Sequence, residues 1–193
     1  MDAAGWDDRY REKPLLWSHG PNRFVAEELA GINPGAALDV ACGEGRNAVW
    51  LAEQGWTVTG VDFSAVALER AQKMASERGV DVTWVNADIT AWYVGDVFDL
   101  VLVAYVHLFP PEFEELMRRA TSWVAPGGRL FMVGHDRSTL GVSGPSDPDL
   151  AWDVDMIADL MGSLSVERAR VGYRVTDTGQ EAADTVVMAR QAG

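Results

Sequence analysis

The chain of 193 residues is poor in cysteine, in basic residues and in long apolar runs. It has a single cysteine, which excludes an intrachain disulfide and suits a reducing compartment. Lysine and arginine number 16 against 29 acidic residues, for a net charge of −13. Such a surface repels polyanions unless a basic patch overrides it. The basic residues instead fall in isolated pairs, Arg118 with Arg119 and Arg168 with Arg170. Nucleic acid is therefore not expected as a partner. No stretch reaches the length of a membrane span. The start, MDAAGWDDRYREK, is acidic and lacks the apolar core of a signal peptide. A cytoplasmic protein is expected, with enough chain for one domain and its core. Internal repeats and low-complexity tracts are also missing. Tryptophan, by contrast, is abundant, with eight residues. Trp84 and Trp123 are expected in the core or on a sheet face. Others are available to stack on a flat or cationic ligand.

The most informative stretch runs from Leu38 to Asp62, LDVACGEGRNAVWLAEQGWTVTGVD. An apolar run carries Asp39, Val40 and Ala41 into a glycine turn, Cys42-Gly43-Glu44-Gly45. Arg46 to Gln54 has helical periodicity, and Gly55 stops it. A second apolar run from Thr57 ends on Asp62. Strand, glycine turn, helix, strand, acid is the order of a nucleotide-binding βαβ unit. Gly43 and Gly45 let the backbone turn sharply and a ligand approach closely. Asp62 lies about 20 residues past the turn, where a carboxylate can accept hydrogen bonds from ribose hydroxyls.

The turn also fits the dinucleotide pattern G-x-G-x-x-G/A, so an NAD(P)-dependent oxidoreductase is an alternative reading. Asp39 discriminates between the two. An acid beside the turn repels a pyrophosphate and attracts a ligand that carries positive charge. The pattern D-x-x-C-G-x-G closely resembles the first motif of the class I S-adenosylmethionine-dependent methyltransferases. Their cofactor has a sulfonium and an ammonium group and no phosphate. The resemblance spans roughly residues 30 to 190. It implies a Rossmann-like, doubly wound α/β fold with a mostly parallel seven-stranded sheet, order 3-2-1-4-5-7-6, ending in an antiparallel hairpin. It also implies S-adenosyl-L-methionine as cofactor, S-adenosyl-L-homocysteine as product, and a cofactor site made of Asp39, Ala41, Cys42, Gly43, Gly45, Arg46 and Asn47, then Asp62, Phe63 and Ser64, then Asp88, Ile89 and Ala104. Within that set Asp88 and Ile89 would meet the adenine.

The remaining segments agree with that plan. Asn22 can cap a helix from Arg23 to Leu29. Ser64 reads as the cap of a helix that runs to Arg78 and ends at Gly79. Val82 to Val85, Val97 to Val106 and Arg129 to Gly134 read as strands, with Pro126-Gly127-Gly128 turning into the last. A helix is expected from Glu112 to Val124 and another from Leu150 to Met161. A loop of about a dozen residues, Arg137 to Asp149, falls at a ligand edge. Ser165 to Val175 and Ala183 to Arg190 alternate as a hairpin. Residues 1–33 form a cap or lid ahead of a domain spanning 34–193. In many small methyltransferases such a segment covers the site, so Trp6, Tyr10, Trp17 and His19 are lid and substrate candidates.

Methyl transfer from a sulfonium needs positioning in a dry pocket, and a base only where the acceptor must lose a proton. Tyr105, His107 and His135 lie at the carboxyl edge and are the catalytic candidates, with Asp136 as a substrate contact. Asn/Asp-Pro-Pro-aromatic, frequent after the fourth strand in enzymes that methylate bases or protein amides, is not matched by Tyr105-Val106-His107-Leu108. No set of metal ligands is evident, so no metal is expected. The aromatic N-terminal segment and the histidines are similar to those of small bacterial methyltransferases of the tellurite-resistance and thiopurine type. A small-molecule acceptor with an oxygen, sulfur or chalcogen nucleophile is expected, in a monomer or homodimer. A non-catalytic binder of the same cofactor is a further alternative.

Overall fold

A computed structural model describes residues 3–12, 20–176 and 178–193. Trp17 and His19 lie outside the described residues. Six helices and seven strands are described, and the strands follow the order β3-β2-β1-β4-β5-β7-β6. This is the order expected from the sequence. The chain divides into two compact units, residues 1–98 and 99–193.

In the first unit, α1 (Ala3–Glu12) and α2 (Arg23–Leu29) precede β1 (Ala36–Val40). Asn22 caps α2 by accepting the amides of Phe24 and Val25. Then come α3 (Arg46–Glu53), β2 (Thr57–Asp62), α4 (Ala65–Arg78) and β3 (Thr83–Asn86). β1 pairs parallel to β2, and β2 parallel to β3. Leu38, Val40, Leu51 and Val61 are fully buried here, as expected where helices cover a parallel sheet. Ser64 caps α4 through the Ala67 amide, and Gly79 closes it in the left-handed region, so both helix signals read from the sequence were correct.

Trp84 lies on β3 between two glycines. A Cβ on Gly60 would sit 2.6 Å from its ring, and one on Gly45 would sit 2.7 Å away. Gly45 also needs a left-handed backbone, at φ 77°. Gly60 has no such need, so its lack of a side chain is a packing requirement alone. Gly60→Ala is expected to destabilise the fold by about 1–3 kcal/mol, the range of core overpacking. In a Trp84→Leu background the same change should cost at least about 1 kcal/mol less, as measured by denaturant titration.

The second unit holds most of β4 (Phe98–Ala104), then α5 (Pro110–Ser122), β5 (Val124–His135), α6 (Val154–Leu160), β6 (Ser165–Val175) and β7 (Glu181–Arg190). β7 pairs antiparallel with both β5 and β6. Leu116, Met117, Leu130, Met132 and Trp152 are buried, and Trp152 stacks on Phe113 with ring centroids 4.0 Å apart. Several boundaries differ from expectation, those of β5 and α6 for reasons visible in the structure. β5 begins before Pro126-Gly127-Gly128, because the Gly127 amide reaches the carbonyls of Gln191 and Ala192, and the Gln191 amide bonds Gly128. The glycines are thereby held in strand. α6 begins at Val154 because Asp153 caps it and Trp152 is extended in a bridge to Asp136. The loop after β5 holds two short 3-10 turns, Arg137–Thr139 and Pro148–Leu150. Among the described residues no helix is long and apolar enough to cross a membrane.

Candidate functional site

In the first unit β1 delivers Asp39 to the glycine turn. Its carboxylate is 1% exposed and Oδ2 has no hydrogen-bond partner. Burial pushes its pKa up to about 7, against the Ala48 amide that bonds it. The nearby Asp62 charge raises the value further, and Arg46 lowers it. A buried carboxyl with one bare oxygen is costly unless something cationic or donating completes it. The turn beside it is strongly bent. Ala41, Gly43 and Gly45 all have left-handed backbones, at φ 53°, 55° and 77°. For Ala41 this is a strained conformation, of the kind that collects at functional sites. Cys42 is held by the Val61 carbonyl. Burial first, then the Asp39 and Asp62 charges, push its thiol well above the ordinary range, so it is no nucleophile at neutral pH.

Asp62 is buried at the end of β2 and ties the turn together. One oxygen accepts the Gly43 amide and the other the Ser64 amide, both at 2.8 Å. Burial raises its pKa against those two bonds, and the Asp7 charge adds to the rise. Each carboxylate oxygen keeps a second lone pair for a ligand hydroxyl. Phe63 is half-buried, and its carbonyl accepts from Asn86. Asn47 is buried and its oxygen is engaged by the Asn22 amide at 2.8 Å, which fixes the start of α2 against α3. Asp88 is exposed. Its Oδ1 accepts the Thr90 amide and hydroxyl, so it caps the turn after β3, with Ile89 buried next to it.

Two further features of this unit have contacts that the sequence alone does not give. Glu44, inside the glycine turn, is 1% exposed at its side chain and pairs with Arg70 of α4 at 2.8 Å. The pair ties the glycine turn to α4. The other is α1. Its Tyr10 is buried, with the hydroxyl 2.9 Å from where a Gly43 Cβ would be. Asp7 accepts the Ser64 hydroxyl at 2.5 Å. Trp6 packs beside Tyr10 at 5.8 Å and carries Arg9 over its ring. Residues from this helix thus lie on the turn and on the cap of α4.

In the second unit, Ala104 ends β4, and Tyr105 follows with a left-handed backbone at φ 54°, a rare state for a bulky residue. Its ring meets His135 edge-on at 4.7 Å, and His107 stacks parallel to His135 at 5.7 Å. The three catalytic candidates from the sequence therefore form one cluster. Asp136 does not join it through its carboxylate, which accepts from Ser138 and from the Thr185 hydroxyl. Burial would raise its pKa, but those bonds hold it below the usual carboxylate range. Its described bonds make it a loop anchor. Arg174 and Asp184 were missed from sequence and lie against His135. An acid in the otherwise apolar run of β7 was the available signal for Asp184. Among the described residues no three His, Cys, Asp or Glu side chains gather to hold a metal.

Comparison with known proteins agrees with this architecture. Residues 37–128 match a family described as a methyltransferase domain. A ubiquinone biosynthesis O-methyltransferase of Escherichia coli O127:H6 is 32% identical over 149 residues, covering 75% of this chain and 60% of that protein. The chain thus spans about 60% of the length of the curated relatives it first matches. The N-methyltransferase NodS from Bradyrhizobium japonicum WM9, solved with S-adenosyl-L-homocysteine, superposes with a TM-score of 0.78 at 19% identity, over 100% of both chains. TehB from Haemophilus influenzae superposes at 0.75 with 14% identity, over 98% of this chain and 66% of that one. At such identities the two structures speak for the fold. The family match over the glycine turn shows a methyltransferase domain across residues 37–128, and the strand order completed by the terminal hairpin is the one that the resemblance to class I S-adenosylmethionine-dependent methyltransferases implies.

Proposed function

We propose that this protein transfers a methyl group from S-adenosyl-L-methionine to an oxygen, sulfur or other chalcogen atom of a small molecule. The observation that carries the reading is Asp39, a buried carboxyl with one unpartnered oxygen beside a strained glycine turn. Such a carboxyl disfavours a pyrophosphate and suits a cationic ligand. In this reading Asp39, Gly43 and Gly45 hold the methionine end, Asp62 the ribose, and Asp88 with Ile89 the adenine. When bound, the cofactor supplies a methyl group already activated by the sulfonium. Trp6 and Tyr10 form a cover that excludes water. Tyr105, His107 and His135 orient the acceptor and take its proton. No metal is needed, and the acidic surface keeps polyanions away.

Parallel calorimetric titrations with S-adenosylmethionine, S-adenosylhomocysteine, NAD and NADP test this. Binding of the first two alone is expected, and a nicotinamide cofactor binding instead would overturn the assignment of Asp39. Asp62→Ala is expected to weaken S-adenosylmethionine binding by about 1–3 kcal/mol, the scale of a lost charged hydrogen bond. Unchanged affinity would remove Asp62 from the ribose role.

A further inference from the structure

Three paired strands of the second unit bring their polar residues to one imidazole. β5 ends on His135, and β7 places Asp184 directly opposite it. Asp184 also faces Gly172 of β6, and Arg174 lies two residues further along that strand, on the same face. His135 Nδ1 is 3.4 Å from Asp184 Oδ1 and 3.4 Å from a terminal nitrogen of Arg174. These neighbours make opposite demands. A guanidinium only donates, so it needs a bare Nδ1, whereas a carboxylate only accepts, so it needs Nδ1–H. A neutral imidazole has one proton to place, and the bond made by one nitrogen decides what the other can do.

Arg174 has better partners elsewhere. Its Nε donates to Asp184 Oδ2 at 2.5 Å, and a terminal nitrogen donates to Ser143 Oγ at 3.0 Å. The guanidinium also meets the Tyr105 hydroxyl. Asp184 Oδ1 is served less well. It receives Arg174 only at 3.5 Å, in a residue with 0% exposure. A buried carboxylate oxygen in that position calls for a further donor. Tyr105 at one edge and His107 across one face hold the ring in place. A Cβ on Gly144 would meet Cδ2 of the ring and lie 2.5 and 2.6 Å from its Cγ and Nε2, so the loop can pack against the imidazole only where it has no side chain.

We propose that Asp184 and Arg174 are positioning residues that hold His135 as its Nδ1–H tautomer, so that Nε2 offers a lone pair to the proton of the methyl acceptor. The inference rests on the methyl-transfer reading above. As the acceptor atom bonds the methyl carbon, the carbon–sulfur bond breaks and its electron pair returns to sulfur. The acceptor's proton passes to Nε2, and the resulting imidazolium keeps its Nδ1–H toward Asp184.

Long-range proton–nitrogen correlation spectra of the ¹⁵N-labelled full chain at pH 8 read the tautomer directly. His19→Gln and His107→Asn variants assign the signals. Wild-type His135 is expected as Nδ1–H, against the Nε2–H preference of a solvated histidine. In Asp184→Asn, Arg174 turns onto Nδ1 and the ring is expected to switch to Nε2–H. A wild-type ring found as Nε2–H, or a folded Asp184→Asn variant that keeps Nδ1–H, would overturn the proposal. If Asp184→Asn does not fold, Arg174→Met at the more exposed partner is read instead. There Asp184 Oδ1 has lost its guanidinium donor and leans on His135 Nδ1–H, so Nδ1–H is expected to be retained and a switch to Nε2–H overturns the proposal. S-adenosylmethionine and S-adenosylhomocysteine are titrated into the same sample. Absence of binding would defeat the methyl-transfer reading, whereas binding with the wrong tautomer would defeat this inference alone.

Discussion

Replacing Asp39 by asparagine is expected to stabilise the ligand-free protein at pH 8 and to destabilise it modestly at pH 4, where only the cost of the unmet amide donor remains. The folded-state pKa of about 7 lies above the ordinary carboxylate value of 3.8. Between those values the folded state binds more protons than the unfolded state. Stability contributed by this group is therefore present below about pH 4 and is lost as pH rises through 7. The full shift corresponds to a ceiling of about 4 kcal/mol. An asparagine amide in the same dry place has an unmet donor, so a gain of about 1–3 kcal/mol is expected. Urea titrations at the two pH values measure it. The same variant should bind S-adenosylmethionine about 10- to 100-fold more weakly, because a buried charge partner has gone. Cofactor binding near pH 7 should also release a proton from wild-type Asp39 and none from the variant. Calorimetry in buffers of different ionisation enthalpy detects that release. A variant less stable at pH 8 than wild type would show that Asp39 serves the fold itself.

Arg70→Ala is expected to destabilise the protein by about 3–5 kcal/mol. Its partner Glu44 is 1% exposed at the side chain, so removing the guanidinium takes a close cation from a buried carboxylate. Removing one member of a buried pair exposes the desolvation penalty of the other, which is larger than the net worth of the pair. Adding Glu44→Gln should therefore recover most of the loss. A double variant no better than Arg70→Ala would mean that Arg70 acts through packing of its stem against α4 rather than through charge. Denaturant midpoints for the four proteins of the cycle decide between these outcomes.

Both predictions start from residues of differing legibility. Asp39, Gly43, Gly45 and Asp62 could be picked out because their spacing repeats a local backbone geometry, strand to turn to helix to strand. The caps Asn22, Ser64 and Gly79 were equally readable, since each acts on amides or carbonyls within three or four residues. The strand order followed from the resemblance carried by these motifs. Glu44 was in view inside the motif, but its partner Arg70 comes 26 residues later on another helix. Arg174 and Asp184 reach His135 only because three strands align in register, a relation set by tertiary pairing. The helix α1 was obscured because its residues are mostly polar and Pro14 follows closely. Its anchoring comes from Asp7 on Ser64 and Tyr10 on Gly43, contacts across 57 and 33 residues of chain.

Trp84 between Gly45 and Gly60 has a bearing on how such sequences diverge. The indole, the turn glycine and the strand glycine occupy one shared volume, with gaps of 2.6 and 2.7 Å where side chains would begin. Drift at either glycine is blocked while the indole stands. A lineage that trades the indole for a smaller side chain frees position 60 to vary but not position 45, whose backbone stays left-handed. In evolutionary terms, positions 60 and 84 therefore behave as one heritable character, and position 45 as an independent one.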